Sequence, residues 1–360
     1  MEQHFVETRE YARDWHAGVA MAMLLGYFVL MGLLVGGQGV LWAEILLALS
    51  MSKGTFGTAQ IVPSLMSVAL LLIGGLLSAW AGKKRLALVA MVLLLGANLG
   101  LAAAGELWGF VGALALSGAG MALLDLSANG ATLDWEHATG RPIMNVMHAG
   151  FSGGAMIGAA LAGVLLRFGW SYSVVLSLLA VACGLFALFS LPVRYPPADA
   201  DDAHENNLSS TVRLVFSRRV LLVLALLCLM SIVGESVASL WAVIYIRDEL
   251  QAGAFIAGLA FAAFNGAMLL GRLLNATIVA RYNNRVSLLI SSVAMVLAGL
   301  LLVPPFVWAA VAAFAMLGLA VAGVIPTSIS AAARRSPGNS GAVAGGIMAF
   351  SYVGFVIVPP

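Results

Sequence analysis

The sequence predicts an all-α polytopic membrane protein. Of its 360 residues, 62% are apolar and only 9% are charged, whereas soluble domains carry about 25% charged residues. A helix needs roughly 20 apolar residues to cross a bilayer, so the apolar residues suffice for about eleven crossings. The formal net charge is only +2 and no run of basic residues exceeds three, which argues against a nucleic-acid partner.

Eleven apolar runs are separated by short polar breaks, and we expect each run to be a helix. Lipid offers no hydrogen-bond partner to an open backbone, and the alternating polarity of membrane β-strands is missing from the sequence. The expected spans are 16–37, 57–80, 86–105, 108–131, 144–167, 171–191, 219–245, 253–278, 286–304, 306–330 and 343–360.

The longest polar stretch divides the chain into two parts. We interpret 194–218 as a cytoplasmic linker between an N-terminal six-helix half, 1–193, and a C-terminal half, 219–360, that holds five spans, the last of them incomplete. The lipid bilayer is therefore an expected partner of both halves.

Weak matches at nearly fixed offsets indicate that one six-helix unit is used twice. Gly75–Leu77 falls on Gly271–Leu273 at an offset of 196, and Phe151–Ser152 falls on Phe350–Ser351 at an offset of 199. The sixth span would then have its counterpart beyond residue 360, so we expect a twelfth helix that this chain lacks.

The distribution of basic residues predicts the orientation. Fourteen of the 18 Lys and Arg residues lie near the N-terminus or in loops after even-numbered spans, and three lie in loops after odd-numbered spans. Under the positive-inside rule the N-terminus and the linker are cytoplasmic, and the expected location is the inner membrane of a cell.

Two carboxylates inside apolar spans are the main functional candidates. Asp125 and Asn129 share one helix face in the fourth span, and Glu235 follows Gly234 inside the seventh. Carboxylates at this depth are costly and commonly bind substrate or relay protons. The alternative is structural: Asp125 could pair with Arg272, and Glu235 could be a hydrogen-bonded buried acid.

Other polar and aromatic side chains in the spans are weaker candidates for the substrate cavity. They could contact a solute or only a neighbouring helix, and the two aromatic residues could instead belong to an interfacial belt. These residues are Gln38 at the end of the first span, Trp241, Tyr245 and Asn265.

Charged residues near the cytoplasmic side could form ion pairs that close this side in one of two states. The same residues also satisfy the positive-inside rule without any gating role. The candidate cytoplasmic gate consists of Lys83, Lys84, Glu136, Arg141, Arg272, Arg281 and Arg285.

Several of these segments resemble a known family. Gly75-Leu-Leu77 and Gly82-Lys-Lys-Arg85 resemble the signature loop of the major facilitator superfamily, although Ala79 and Trp80 stand where that loop has Asp and Arg. A further series is similar to the YbjJ-like inner-membrane permeases, near the fucose-permease branch. It comprises Asp125–Asn129, Glu136, Gly140–Pro142, His148, Phe151–Gly154, Gly234–Glu235, Trp241–Arg247 and Gly271–Leu273.

The resemblance implies a major facilitator fold and secondary active transport. We expect a monomer that moves a small polar solute, sugar-like or an organic acid, by alternating access and coupled to protons. Proton-linked efflux of a metabolite or drug, and a non-transporting sensor or inactive paralogue, are the alternatives. The sequence contains no pattern of an enzyme site, so we expect no catalysis, no cofactor and no metal.

Overall fold

The computed structural model describes residues 15–141, 143–195, 218–335, 343, 347, 350–351 and 353–358. The predicted linker lies almost entirely outside the described residues, as does much of the last predicted span. Within the described part of the chain the secondary structure is helical, without a strand.

The described helices follow the predicted spans in order. They are α1 Trp15–Ala48, α2 Lys53–Leu72, α3 Gly74–Ala81, α4 Lys83–Ala103, α5 Leu107–Thr139, α6 Met144–Arg167, α7 Tyr172–Ser190, α8 Arg219–Ile244, α9 Ala254–Arg281, α10 Asn284–Leu301, α11 Val307–Val321, α12 Val324–Arg334 and the short α13 Gly354–Ile357. A π-helical turn, Tyr245–Glu249, continues α8. Nine helical segments of the described residues are long and apolar enough to cross a membrane, when α11 and α12 are counted together as Val307–Ala332.

Four predicted spans differ from the observed helices. The first span was expected to end at residue 37, but α1 continues to Ala48 because residues 39–48 stay apolar and helix-compatible except at Glu44. The fourth span was expected to end at residue 131, but α5 continues to Thr139. The second span is divided into α2 and α3 at Ile73, and the tenth into α11 and α12 between Val321 and Val324.

Small residues let the helices approach closely, as the glycines at spacings of four in the fifth span predict. α6 packs extensively on α1. A Cβ atom added at Gly154 would collide with the backbone carbonyl of Val29, and one added at Gly158 would collide with that of Leu33. Such contacts bring backbones together where lipid supplies no hydrophobic drive for helix association.

The two halves also meet along α6 and α9, which pack extensively on each other. Their backbones approach at two glycines, since a Cβ atom added at Gly258 would lie 3.1 Å from the Cα atom of Gly163. A second contact between the halves joins α2 to the last segment, where the Ser64 hydroxyl donates to the Phe355 carbonyl at 2.7 Å.

The alternating helix directions define two ends of the bundle. The Lys83 end holds the turn between α3 and α4, where Gly82 adopts a φ of +76° that favours glycine. The Lys53 end holds the turn between α1 and α2 and the π-helical turn Tyr245–Glu249. These names are used below for the two ends of the bundle, which face the two aqueous sides of the membrane.

Candidate functional site: a cavity between the two halves

A cavity of about 370 Å³ lies between the halves at the middle of the helices. This volume is at the small end of the roughly 300–1,000 Å³ typical of small-molecule sites. The first half lines it with residues of α1, α2, α5 and α6, and the second half with residues of α8 and α13. Its polar and aromatic lining residues are Gln38, Trp42, Gln60, Ser64, Ser67, Ser117, Asp125, Phe151, Glu235, Ser236, Ser239 and Phe355.

Both predicted carboxylates line this cavity, although they are 110 positions apart in the chain. Asp125 lies on α5 in the first half, and Asn129 one turn further along donates to its carboxylate at 2.8 Å. Asn129 therefore holds the carboxylate of Asp125 without lining the cavity itself. Glu235 lies on α8 in the second half, so the cavity combines one acid from each half.

Gln38 lines the cavity from the middle of α1 rather than from the end of a span. Its amide nitrogen donates to Asn98 on α4 at 3.1 Å, and Asn98 donates to the carbonyl of Leu94 at 2.8 Å. These buried bonds fix the Gln38 amide at the cavity wall, because a buried amide that lost them would be costly to leave unsatisfied.

Two other polar groups of the lining have no hydrogen-bond partner among the described residues. They are the amide nitrogen of Gln60 on α2 and the hydroxyl of Ser236 on α8, and both atoms are buried. Sequence reasoning missed both residues. Gln60 carried the same signal as Gln38, a neutral polar group inside an apolar span, whereas a single serine in a membrane helix gives almost no signal.

Arg272 binds across the interface between the halves but does not pair with Asp125. Its guanidinium donates to the carbonyl of His148 at 2.6 Å and to the hydroxyl of Ser152, both on α6. Its charge also attracts that of Glu235. The proposed pairing with Asp125 is therefore replaced by an arrangement in which Arg272, on α9, faces α6 and balances Glu235.

Three other candidates for the cavity wall lie elsewhere in the described structure. Trp241 packs edge-on against Phe56, with ring centroids 5.7 Å apart, and is not among the lining residues. The Tyr245 hydroxyl donates to the carbonyl of Leu302 at 3.4 Å. Asn265 is buried and donates to the carbonyl of Phe261 one turn earlier.

The candidate gate residues at the Lys83 end bind within their own halves. Lys83 contacts both carboxylate oxygens of Asp134 at 2.7 Å, and Lys84 donates to the carbonyl of Leu191 at 2.6 Å. Glu136 accepts the backbone N–H groups of Ile143 and Met144, at 2.5 and 2.7 Å, and so stabilises the start of α6.

The remaining arginines of this group lie at the surface. Arg141 and Arg285 are exposed, and Arg281 lies over the ring of Tyr282, 5.7 Å from its centroid. Among the described residues, the ion pair at this end joins two helices of the first half and does not cross between the halves.

Ion pairs that do cross between the halves lie at the opposite end. Glu44 on α1 binds Arg247 in the π-helical turn. Lys53, at the start of α2, lies 2.7 Å from Glu249 and 3.4 Å from Asp248. Sequence reasoning missed these pairs because it followed the basic residues to the Lys83 end, where they are most numerous.

An aromatic cluster closes the space next to these ion pairs. We use the name aromatic cluster for Trp42, Phe56, Phe110 and Trp241. The ring centroids of Trp42 and Phe56 lie 5.6 Å apart, and those of Phe56 and Trp241 lie 5.7 Å apart. Because Trp241 belongs to the second half, the cluster and the ion pairs together join the halves at the Lys53 end.

The Lys53 ion pair is stable over the neutral pH range. Its hydrogen bond to Glu249 raises the pKa of Lys53 above the ordinary value for lysine. A raised lysine pKa favours the charged form in the folded protein, so the contribution of the pair is lost only as the pH rises through that raised value. Changes of pH near neutrality leave this connection intact.

Helices in two halves around a central cavity that two buried carboxylates line are typical of a class of protein, the secondary transporters, in which one half moves against the other around a fixed site. The chain belongs to the Major Facilitator Superfamily, whose sequence pattern matches residues 18–359. It is therefore a transporter of this superfamily, embedded in a membrane by multiple helices.

Similar proteins agree with this assignment. The uncharacterized transporter y4wD of Sinorhizobium fredii (strain NBRC 101917 / NGR234) is 29% identical over 339 residues, which cover 92% of this chain and 87% of that protein. The nucleoside transporter NupG superimposes with a TM-score of 0.76 at 14% identity, over 95% of this chain and 89% of NupG. A D-xylose–proton symporter superimposes with a TM-score of 0.68 at 17% identity, over 94% of this chain and 89% of that structure. These two structures show the shared fold alone.

Proposed function

We propose that the protein moves a small polar solute across the inner membrane together with protons, by alternating access around the central cavity. In this proposal the protein acts as a monomer, with its N-terminus and the linker in the cytoplasm. The Lys83 end then faces the cytoplasm and the Lys53 end faces outward, as the distribution of basic residues favours.

One observation carries the proposal: Asp125 and Glu235 reach the same small cavity from opposite halves. Ionisable groups inside a membrane are costly and typically serve as substrate sites or proton relays. A carboxylate in each half provides a proton acceptor on each side of the interface that rearranges during transport. Asn129 and Arg272 hold or balance these two carboxylates, and Gln38 offers a fixed amide beside them.

The solved relatives support the choice of solute and coupling ion. One is named a nucleoside transporter and another a D-xylose–proton symporter. The solutes named for these two proteins are small polar molecules, and the second protein is named a proton symporter. The cavity volume of about 370 Å³ suits solutes of this kind.

In this proposal the charged residues at the Lys83 end form the gate in the second state, in which the Lys53 end is open and the Lys83 end is closed. Lys83, Lys84 and Glu136 bind within the first half in the described state, and Arg141, Arg281 and Arg285 are available at the surface. When the Lys53 end opens, Glu136 would form an ion pair with Arg281 or Arg285 across the halves and close the cytoplasmic side, with Lys84 and Arg141 beside this pair and Lys83 still bound to Asp134.

Reconstituted transport tests the proposal. Liposomes containing the purified protein would be loaded at one pH and diluted into another, and uptake of a panel of labelled pentoses, hexoses, nucleosides and organic acids would be followed. We expect accumulation of a solute only with an inward proton gradient. Collapse of the gradient by a protonophore is expected to abolish accumulation, and accumulation that survives it would contradict proton coupling.

Substitution of the two carboxylates assigns their roles. We expect Asp125→Asn and Glu235→Gln each to reduce gradient-driven accumulation to the level of protein-free liposomes. If a residue carries only the proton, its variant should still exchange labelled for unlabelled solute in the absence of a gradient. Glu106→Gln is the matched control, because Glu106 is an exposed acid before α5 and does not line the cavity. If both cavity variants accumulate solute as well as this control does, neither acid couples transport to protons.

A further inference from the structure

We propose that the cavity binds an uncharged solute that carries hydroxyl groups, and that Gln60 and Ser236 form hydrogen bonds to it, one from each half. This inference rests on the proposed function, because it takes the cavity as the transport site. It narrows the expected solutes, since it favours sugar-like molecules and nucleosides over organic acids.

The first argument is that the cavity wall contains polar groups left without partners. The amide nitrogen of Gln60 and the hydroxyl of Ser236 are buried without a hydrogen bond, in side chains that are only 4% and 3% exposed. Buried polar groups in folded proteins are nearly always satisfied. Two exceptions on the wall of one cavity therefore mark positions where a bound molecule supplies the missing partner.

The second argument concerns charge. The described lining residues include two carboxylates but no Lys, Arg or His. An anionic solute would meet these carboxylates with no cation on the wall to offset its desolvation. The carboxylates also have polar or charged neighbours, since Asp125 accepts a hydrogen bond from Asn129 and the charge of Arg272 attracts that of Glu235. The wall therefore does not require a cationic solute either.

The third argument concerns hydrogen-bond chemistry. The amide nitrogen of Gln60 can only donate, whereas a serine hydroxyl both donates and accepts. A hydroxyl group on the solute can accept from Gln60, and the same or a neighbouring hydroxyl can exchange a hydrogen bond with Ser236. Trp42, Phe151 and Phe355 supply apolar and aromatic surface for the carbon faces of a ring.

The position of these two residues links binding to the arrangement of the halves. Gln60 lies on α2 in the first half and Ser236 on α8 in the second, and both residues line one cavity. A solute that bonds to both side chains satisfies two buried groups at once only while the halves enclose it. Binding thus favours the state in which the two helices are held together around the solute.

Binding to the purified protein tests the inference independently of transport. Ligand-induced shifts in melting temperature and equilibrium titrations would be measured with D-xylose, D-glucose, a hexitol and uridine as neutral probes, lactate and succinate as anions, and choline as a cation. We expect at least one neutral probe to bind and the anions and the cation not to compete with it. Binding of an anion or of choline at this site in preference to every neutral probe, or failure of all neutral probes to bind, would overturn the inference.

Three variants then test the two residues. We expect Ser236→Ala and Gln60→Met to raise the Kd for the neutral probe by about tenfold each, the equivalent of one hydrogen bond between neutral groups. Ser328→Ala is the matched control, because Ser328 is likewise a buried serine on a helix of the second half but lies outside the cavity lining. Without ligand, Ser236→Ala and Gln60→Met are not expected to lower the melting temperature, since each removes an unsatisfied buried group. If Ser236→Ala weakens binding no more than Ser328→Ala, the assignment of Ser236 is wrong.

The outcomes separate this inference from the proposed coupling to protons. Uptake of a neutral solute that ignores the pH gradient would contradict proton coupling and leave the solute class in place. Gradient-driven uptake of an organic anion would overturn the solute class and leave proton coupling in place.

Discussion

The two ends of the bundle are both charged, but their ion pairs connect different parts of the molecule. At the Lys53 end, Glu44 binds Arg247 and Lys53 binds Asp248 and Glu249, so each pair joins the first half to the second. At the Lys83 end, the described pair of Lys83 and Asp134 joins α4 to α5 within the first half. The number of basic residues at an end therefore does not reveal which end holds the halves together.

The ion pairs at the two ends therefore stabilise different states of the molecule. A pair within one half stabilises that half in every state of the transporter, because its helices move as one body. A pair between the halves stabilises only the state in which that end is closed. The described structure is thus a state closed at the Lys53 end, where the aromatic cluster lies beside the ion pairs.

The largest effect is expected from breaking the pair within the first half. Asp134→Ala removes the acceptor of two hydrogen bonds from Lys83, in a pair whose side chains are only 12% and 4% exposed. Loss of one partner of such a buried pair costs about 3 kcal/mol. We expect a clearly lower melting temperature in detergent, measured by the fluorescence of a thiol-reactive or tryptophan probe.

The control for this variant is Glu106→Ala, which removes an exposed carboxylate before the start of the same helix. The melting temperature of this control should stay close to that of the parent protein. Equal destabilisation by the two variants would contradict a special role for the Lys83–Asp134 pair.

A smaller effect, of another kind, is expected from the Glu44–Arg247 pair. Arg247→Glu places two carboxylates against each other between the halves, which disfavours the closed state at this end. The opening can be measured in a protein whose Cys183 and Cys228 are replaced and whose buried Ala59, on α2, is changed to cysteine. In this background Arg247→Glu should raise the rate of reaction with a water-soluble maleimide about tenfold, which corresponds to a shift of about 1.4 kcal/mol towards the open state.

The charge swap restores the attraction and provides the control. Glu44→Arg combined with Arg247→Glu should return the labelling rate of the Ala59→Cys protein towards its starting value. Asp134→Ala should leave that rate unchanged, because its ion pair does not cross between the halves. If Asp134→Ala raised the labelling rate as much as Arg247→Glu does, the distinction between the two ends would be wrong.

The smallest effect is expected from Lys53. Its side chain is 44% exposed and its carboxylate partners are 36% and 59% exposed, and exposed pairs contribute at most about 1 kcal/mol. Lys53→Gln should raise the same labelling rate only about two- to fourfold at low ionic strength. The increase should vanish at about 1 M salt, where charges are screened within about 3 Å.

The effect of Lys53→Gln should not depend on pH near neutrality. Because the pKa of Lys53 is raised, the ratio of the labelling rates of Lys53→Gln and the parent protein should stay constant from about pH 6 to pH 9. A difference that disappears within this interval would show that Lys53 does not hold the end closed through its charge.

Most of the fold could be predicted from the sequence because apolar length alone determines where a helix can cross a membrane. The prediction failed where that signal was ambiguous. It ended the first span at residue 37, although the helix continues through Glu44, whose charge Arg247 binds. The breaks at Ile73 and between α11 and α12 lie beside Gly74 and Gly323, but glycine alone does not indicate a break because other glycines, such as Gly154 and Gly158, lie inside continuous helices.

The site was predictable only in part. Asp125, Glu235 and Gln38 stand out as polar residues in apolar spans, and all three line the cavity. Ser236 does not stand out in this way, because a single serine is common in a membrane helix. The position of Trp241 near a helix end is typical of an interfacial belt and did not indicate its contact with Phe56. The pairs at the Lys53 end join residues about 200 positions apart, and a single sequence without an alignment does not indicate which distant charges meet.

The glycine contact between α6 and α9 has a mechanical consequence. At Gly163 and Gly258 the two backbones touch without side chains between them. Helices usually interlock through ridges of side chains that fit into grooves, and these ridges fix the crossing angle. At this point the two backbone surfaces have no ridges to interlock, so the glycine contact limits how closely the halves approach but does not itself fix the angle between them.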